Sequence, residues 1–163
     1  MPEIYGQIEM CSIEEAAAAA DFIIIATQAK DIREAAYWLG DVRRKVIIDS
    51  SANVHTLDRN NVNTMNAIKS ITGSQHVIKI FNTKGYEHHV KPLFNKAGVQ
   101  LLLVSDSKKA KEITKIMALE LGITEWYDFG ATDTLPLFNQ LTQVMRNLAV
   151  AENLTKPVPH KVK

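Results

Sequence analysis

Several common features are scarce or missing in this chain of 163 residues. It has one cysteine, Cys11, so an intrachain disulfide is impossible and a reducing compartment is expected. None of its seven glycines falls in the G-x-G-x-x-G spacing of a glycine-rich phosphate loop. No apolar run approaches the roughly 18 residues of a membrane helix, and a net charge of +1 predicts no nucleic-acid partner. We therefore expect a cytoplasmic protein that binds neither nucleic acid nor membrane.

The main signal in the sequence is a set of short apolar runs, each followed by a polar turn. Four of them span Phe22 to Ala26, Val46 to Asp49, Val77 to Phe81 and Leu101 to Val104. They do not alternate with polar residues, which favours strands that are covered on both faces, as in a parallel sheet. The segment from Thr124 to Phe129 alternates and is expected to form a fifth strand.

Helical patterns separate these runs. Ser12 is expected to cap a first helix, with Glu15 completing the capping box. Further helices are expected over residues 30–39, 64–72, 88–96, 108–121 and 134–152. The last of these has apolar residues at helical spacing, namely Leu137, Leu141, Val144, Leu148 and Ala151. Alternating strands and helices predict an α/β domain over residues 1–155, with a mostly parallel sheet of about five strands, followed by a flexible basic tail over 156–163.

Candidate binding residues follow the strands, because ligands of open α/β sheets lie beyond the carboxyl ends of the strands. The residues at these positions are Ala26, Thr27, Gln28, Ser50, Ser51, Asn53, Asn82, Thr83, Lys84, Ser105 and Asp106. Most carry hydroxyl or amide groups that suit a ribose, an amide or a phosphate, and none stands out as a general base. The alternative, that each is a loop residue satisfying nearby backbone groups, stays open.

Two other features are interpreted structurally. Asp49 ends a strand, and we expect it to orient a loop rather than to react. His88 and His89 are adjacent on an expected helix, where neighbouring residues point in different directions, so they are not expected to share a metal ion. No catalytic residue and no metal site are predicted.

Three segments carry a resemblance to a known family. They are residues 21–27 (DFIIIAT), 46–53 (VIIDSSAN) and 77–83 (VIKIFNT), of which the third is the most specific, and residues 103–106 and 128–130 add a weaker match. These segments resemble the coenzyme F-420-dependent NADP oxidoreductases, whose wider relatives include the cytosolic NADPH-binding domain of six-transmembrane metalloreductases. The resemblance runs from about Ser12 to Ala149.

The resemblance implies a Rossmann-like, NAD(P)-binding domain that transfers a hydride between NADP(H) and a flavin-like or other acceptor. A deazaflavin or flavin would be the co-substrate. The implied cofactor-binding residues are Ala26, Thr27, Gln28, Ser50, Asn53, Asn82 and Thr83. Hydride transfer to a flavin-like ring needs no acid or base from the protein, which then supplies orientation and a dry pocket.

The family's opening strand, glycine loop and basic NADP-selecting turn have no counterpart here, so we expect the N-terminal βαβ part of the fold to be missing. In the strand order 3-2-1-4-5-6 the run over residues 22–26 would then be an apolar edge strand. Such an edge is prone to pair with another chain, so we expect a homo-oligomer through it, or a cover formed by residues 1–11. Two alternatives stay open: a catalytically inactive truncated module that acts through homo-oligomerisation or partner binding, and a truncated product of a longer gene.

Overall fold

The structure is a computed structural model that describes residues 10–51, 63–83, 98 and 100–155. Its elements are α1 (Ile13–Ala19), β1 (Phe22–Ile25), α2 (Ile32–Tyr37), β2 (Val46–Asp49), α3 (Thr64–Thr72), β3 (Val77–Asn82), β4 (Leu101–Val104), α4 (Lys108–Glu120), β5 (Trp126–Asp128) and α5 (Leu135–Thr155). All five predicted strands are present. The helix expected over 88–96, the histidines in it and the tail over 156–163 lie outside the described residues.

The strands form one sheet in the order β1-β2-β3-β4-β5. β1 pairs with β2 in parallel, and β4 pairs with β5 in parallel. β3 and β4 are antiparallel, with Lys79 opposite Val104 and Asn82 opposite Leu101. The fold is therefore α/β and Rossmann-like with a mostly parallel sheet, as predicted, but the chain direction reverses between β3 and β4.

The chain divides into two compact units, residues 1–78 and 79–163, and the boundary falls inside β3. In the first unit β2 is buried along its whole length, together with Ile32 of α2 and Ile68 of α3. In the second unit β4 is buried throughout, together with Phe138 and Met145 of α5. The apolar runs of β2 and β4 are thus strands that water does not reach on either face, as expected. The expectation is wrong for β1, which is covered on one face only, because it ends the sheet and leaves Ile24 49% exposed. That residues 1–155 form a single domain stays a prediction.

Helix α1 is held at both ends. The Ser12 hydroxyl accepts a bond from the Glu15 amide (3.2 Å), and the Glu15 carboxylate accepts one from the Ser12 amide (2.9 Å), which confirms the capping box. The Ser12 hydroxyl also donates to the Glu15 carboxylate at 2.7 Å, and this bond holds the pKa of Glu15 below its usual value. At the other end the Lys45 ammonium donates to three carbonyls of the last turn, at 2.5, 2.6 and 2.8 Å. A cation there suits the negative end of the helix dipole.

β1 is the terminal strand of the sheet that the described residues form, as expected. The Ile25 carbonyl accepts a bond from the Ser50 amide at 2.9 Å. In a parallel pair of strands, every second residue bonds to the neighbouring strand through both its amide and its carbonyl. Ile23 and Ile25 therefore bond to β2, and the backbone groups of Phe22 and Ile24 point away from it. The Ile24 side chain is 49% exposed, whereas Ile23 and Ile25 are buried.

Helix α5 has the expected length, but the apolar stripe expected from the sequence is not its buried face. The buried side chains of α5 are Leu135, Phe138, Thr142 and Met145. Leu137, Val144 and Leu148 are 60%, 52% and 45% exposed. The helix carries two apolar stripes, and only packing against its own unit decides which of them is covered. None of the described helices is both long enough and apolar enough to cross a membrane.

Candidate functional site

In the first unit the predicted residues after β1 and β2 come together at one edge of the sheet. Because these strands are parallel, the Ser50 amide reaches the Ile25 carbonyl directly before Ala26. The Thr27 hydroxyl, on a half-buried side chain, donates to the Gln28 carbonyl at 3.2 Å. Gln28 is exposed and begins a 3₁₀ turn without a side-chain bond to it. This edge therefore presents a hydroxyl and an amide side by side.

A buried carboxylate, that of Asp49, connects the end of β2 to the start of α3. Asp49, the last residue of β2, is fully buried. One of its oxygens accepts a bond from the Ser51 amide at 2.9 Å, and the other accepts one from the Thr64 hydroxyl at 2.5 Å. Thr64 is the first residue of α3, so Asp49 holds both ends of the segment over residues 52–62. These bonds give Asp49 a structural role, while the segment that it was expected to orient, with Asn53 in it, lies outside the described residues.

In the second unit the residues after β3 differ in accessibility. Asn82 is exposed, whereas Thr83 is 1% exposed. The Thr83 amide donates to the Gln100 carbonyl at 2.9 Å and so extends the pairing with β4 by one step. Of the two described residues at this end of β3, Asn82 is therefore the one whose side chain is presented to solvent. Lys84 lies outside the described residues.

The expectation that the residues after β4 share an edge with those after β3 is wrong. β4 runs antiparallel to β3, so Ser105 and Asp106 lie near the beginning of β3 rather than its end. The Ser105 hydroxyl accepts from the Ser107 amide at 3.0 Å. The Asp106 carboxylate accepts from both the amide and the hydroxyl of Thr132, at 2.8–2.9 Å. These two residues satisfy local groups, which is the structural alternative weighed from the sequence.

A second polar group at this opposite edge was not expected from the sequence. The Lys111 ammonium of α4 donates to the Asp128 carboxylate at 2.8 Å and to the Gly130 carbonyl at 2.9 Å. The same carboxylate oxygen accepts from the Gly130 amide at 2.9 Å. These bonds fasten α4 to the end of β5. A lysine in the first turn of a helix and an aspartate at the end of a strand give no sequence signal that they will meet.

The described glycines do not form a phosphate-binding loop. Those with a positive φ are Gly40, Gly73, Gly122 and Gly130. The first three follow α2, α3 and α4, and the last follows β5, so each ends an element in the left-handed conformation that glycine tolerates. The described residues thus offer groups that fit a ribose or a nicotinamide amide, and no glycine loop that fits a pyrophosphate.

Comparison with known proteins gives one informative result. No family model and no curated protein matches the chain. Among solved structures it matches the crystal structure of a provisionally assigned F-420-dependent NADP reductase from Arthrobacter sp. FB24, with 18% sequence identity and a TM-score of 0.69. The match covers 94% of this chain and 74% of that chain. The chain shares the fold of that reductase. The resemblance seen in the three sequence segments is confirmed at the level of the fold.

Proposed function

We propose that the chain is an NAD(P)-binding oxidoreductase domain that transfers a hydride between NADP(H) and a flavin-like acceptor such as a deazaflavin. The observation that carries this proposal is the fold shared with an F-420-dependent NADP reductase over 94% of the chain. We also propose a cytoplasmic location, since the exposed thiol of Cys11 suits a reducing compartment.

The residues at the strand ends support binding rather than acid–base chemistry. In the first unit the groups proposed to contact the cofactor are those of Ala26, Thr27, Gln28 and Ser50, with Asn53 in the adjoining segment. In the second unit the group is the exposed side chain of Asn82, and the buried Thr83 next to it is proposed to position it. Hydroxyl and amide groups can hydrogen-bond the nicotinamide ribose and carboxamide. Bound nicotinamide supplies the hydride, and these residues orient the ring and limit access of water.

Titration of the purified chain with NADPH and NADH, followed by heat or fluorescence energy transfer, tests this proposal. We expect binding in the micromolar range, weakened by Asn82→Ala because that side chain is presented to solvent at the end of β3. Gln140→Ala is the matched control, since it removes an exposed amide from α5. The absence of binding up to millimolar concentrations of both nucleotides would contradict the proposal.

A second candidate function rests on the β1 edge. We propose, as the alternative, a non-catalytic module whose β1 pairs with β1 of a second copy. Outward-facing backbone groups and the half-exposed Ile24 make this edge suitable for strand addition. Pairing would protect the Phe22 and Ile24 amides from hydrogen exchange, and Ile24→Lys would remove that protection. Rapid exchange of both amides in the unmodified protein, at concentrations used for structural work, would contradict this alternative.

A further inference from the structure

Arg146 brings a positive charge from α5 to the end of β3. It is the only charged residue between Leu135 and Leu148. Its guanidinium lies over the Phe81 ring, 4.9 Å from the ring centroid, and Arg146 is half-buried. Phe81 directly precedes Asn82, whose side chain is proposed to contact the cofactor. The charge therefore lies beside the candidate binding residues of the second unit.

The Phe81 ring restrains the guanidinium. Phe81 is 6% exposed and lies opposite Leu102 in the antiparallel pair of β3 and β4, so the ring is itself anchored. A cation over the face of an aromatic ring is attracted to it. An arginine restrained in this way loses less conformational freedom when it binds a ligand. The guanidinium has five N–H donors in one plane, so it can bind an anion in addition to the contacts that it makes within the protein.

A second cationic side chain lies on the same face of β3. Side chains alternate along a strand, so Lys79, Phe81 and Thr83 share one face, and Asn82 lies on the other. Lys79 is 4% exposed, and it lies about 7 Å along the strand from Phe81. A buried ammonium is stable only where negative charge or hydrogen-bond acceptors face it. This side of β3, next to α5, is therefore suited to negatively charged groups.

We propose that Arg146 binds a phosphate group of the ligand at the carboxyl end of β3. The planar donors of an arginine match the oxygens of a phosphate. The described glycines form no phosphate-binding loop, and a restrained arginine can take the place of such a loop. The phosphate belongs either to the nicotinamide nucleotide or to a flavin-like acceptor. The identity of the ligand rests on the proposed function, whereas the anion site does not.

Isothermal titration of the full chain and of Arg146→Gln with NADPH, FMN and riboflavin tests the site. We expect Arg146→Gln to raise the dissociation constant of NADPH or of FMN by about tenfold or more, because a charge-assisted bond is lost. Riboflavin carries no phosphate, so its binding should not change. Arg146→Lys, which keeps the charge but not the planar donors, should have an intermediate effect. Lys108→Gln removes one positive charge from an exposed site in the same unit and is the control.

The pattern of losses identifies the source of the phosphate. A loss for FMN alone assigns the site to the acceptor, and a loss for NADPH alone assigns it to the nicotinamide nucleotide. The proposal is overturned if Arg146→Gln weakens neither ligand, if it weakens riboflavin as much as FMN, or if Lys108→Gln has the same effect. Circular dichroism should report unchanged helix content in each variant.

Inorganic pyrophosphate provides a probe that does not depend on the proposed function. Followed by ³¹P NMR, the unmodified chain should bind pyrophosphate, and Arg146→Gln should bind it several-fold more weakly. Binding of pyrophosphate through Arg146 without any binding of NADPH would support the anion site and contradict only the proposed function. Pyrophosphate binding that is equal in the two proteins, or absent from the unmodified chain together with FMN and NADPH binding, would overturn the inference.

Discussion

The buried carboxylate of Asp49 gives the most direct test of how the first unit is held together. It accepts bonds from the Ser51 amide and the Thr64 hydroxyl, and it is inaccessible to solvent. A hydrogen bond to a charged group contributes about 1.5–3 kcal/mol. Asp49→Ala removes the acceptor of both bonds, so we expect the free energy of unfolding to fall by about 3–5 kcal/mol. Thr64→Val keeps the shape and removes one donor, at a cost of about 1.5–2 kcal/mol.

The two substitutions should not be additive, because each removes the same Asp49–Thr64 bond. We expect the double variant to be more stable than the sum of the single effects by about 1–2 kcal/mol. Urea unfolding at neutral pH, followed by circular dichroism, measures the three variants. Hydrogen exchange at the β2 amides gives a local readout that does not require the two units to unfold together. Asp31→Asn, which alters an exposed carboxylate in the same unit, should change stability by less than about 0.5 kcal/mol.

A coupling free energy below about 0.3 kcal/mol would refute the view that this bond holds the two ends of the 52–62 segment. A further consequence concerns the proposed cofactor. Asp49→Asn keeps the size of the side chain but replaces one acceptor with a donor. If the proposed function holds, Asp49→Asn should reduce the free energy of NADPH binding by more than it reduces the free energy of unfolding. The reason is that Ser50 and the residues after it would be less well positioned.

Three other outcomes are expected. Lys45→Met should lower the free energy of unfolding in urea by about 2 kcal/mol, because three carbonyls at the end of α1 lose a charged donor. Lys30→Met, at an exposed site, is the control and should have little effect. Equal effects of the two substitutions would contradict this prediction. The side-chain bond from Arg43 lowers the pKa of Asp41 from 3.8 to about 2. The contribution of this bond to stability is therefore present above pH 3.8 and is lost as the pH falls towards 2. In Arg43→Ala, NMR titration should show the pKa of Asp41 returning towards 3.8, and an unchanged pKa would contradict this prediction. The Thr114 hydroxyl is buried in α4 and has no hydrogen-bond partner among the described residues, so Thr114→Val should raise the free energy of unfolding by about 1 kcal/mol, and a loss would show that the hydroxyl is satisfied.

The elements themselves could be predicted from the sequence because their signals are local. The Ser12 and Glu15 pair marked the start of α1, and the helix expected over residues 64–72 is α3. Apolar runs of four or five residues located four of the strands, but they did not show that β1 is covered on one face only. The fold class followed from the alternation of these elements along the chain.

The candidate site was predictable only in part. Residues after β1 and β2 do share an edge, because a parallel pair brings its carboxyl ends together. The different exposure of Asn82 and Thr83 follows from the period of two along a strand, since Thr83 lies on the same side as the buried Phe81. The position of Ser105 was not predictable, because the apolar pattern of β4 is the same for either chain direction.

By itself, the sequence determined which of the described segments are helical or extended and that β2 and β4 are buried, because capping, turn preference and hydrophobic periodicity act over a few residues. Only the tertiary structure decided that β4 runs against β3, that Asp49 meets Thr64 and that α5 buries the Leu135 stripe rather than the stripe that begins at Leu137. These outcomes depend on contacts between residues distant in sequence. An apolar stripe in the sequence indicates that one face of a helix is more stable when covered, but it does not indicate which surface will cover that face.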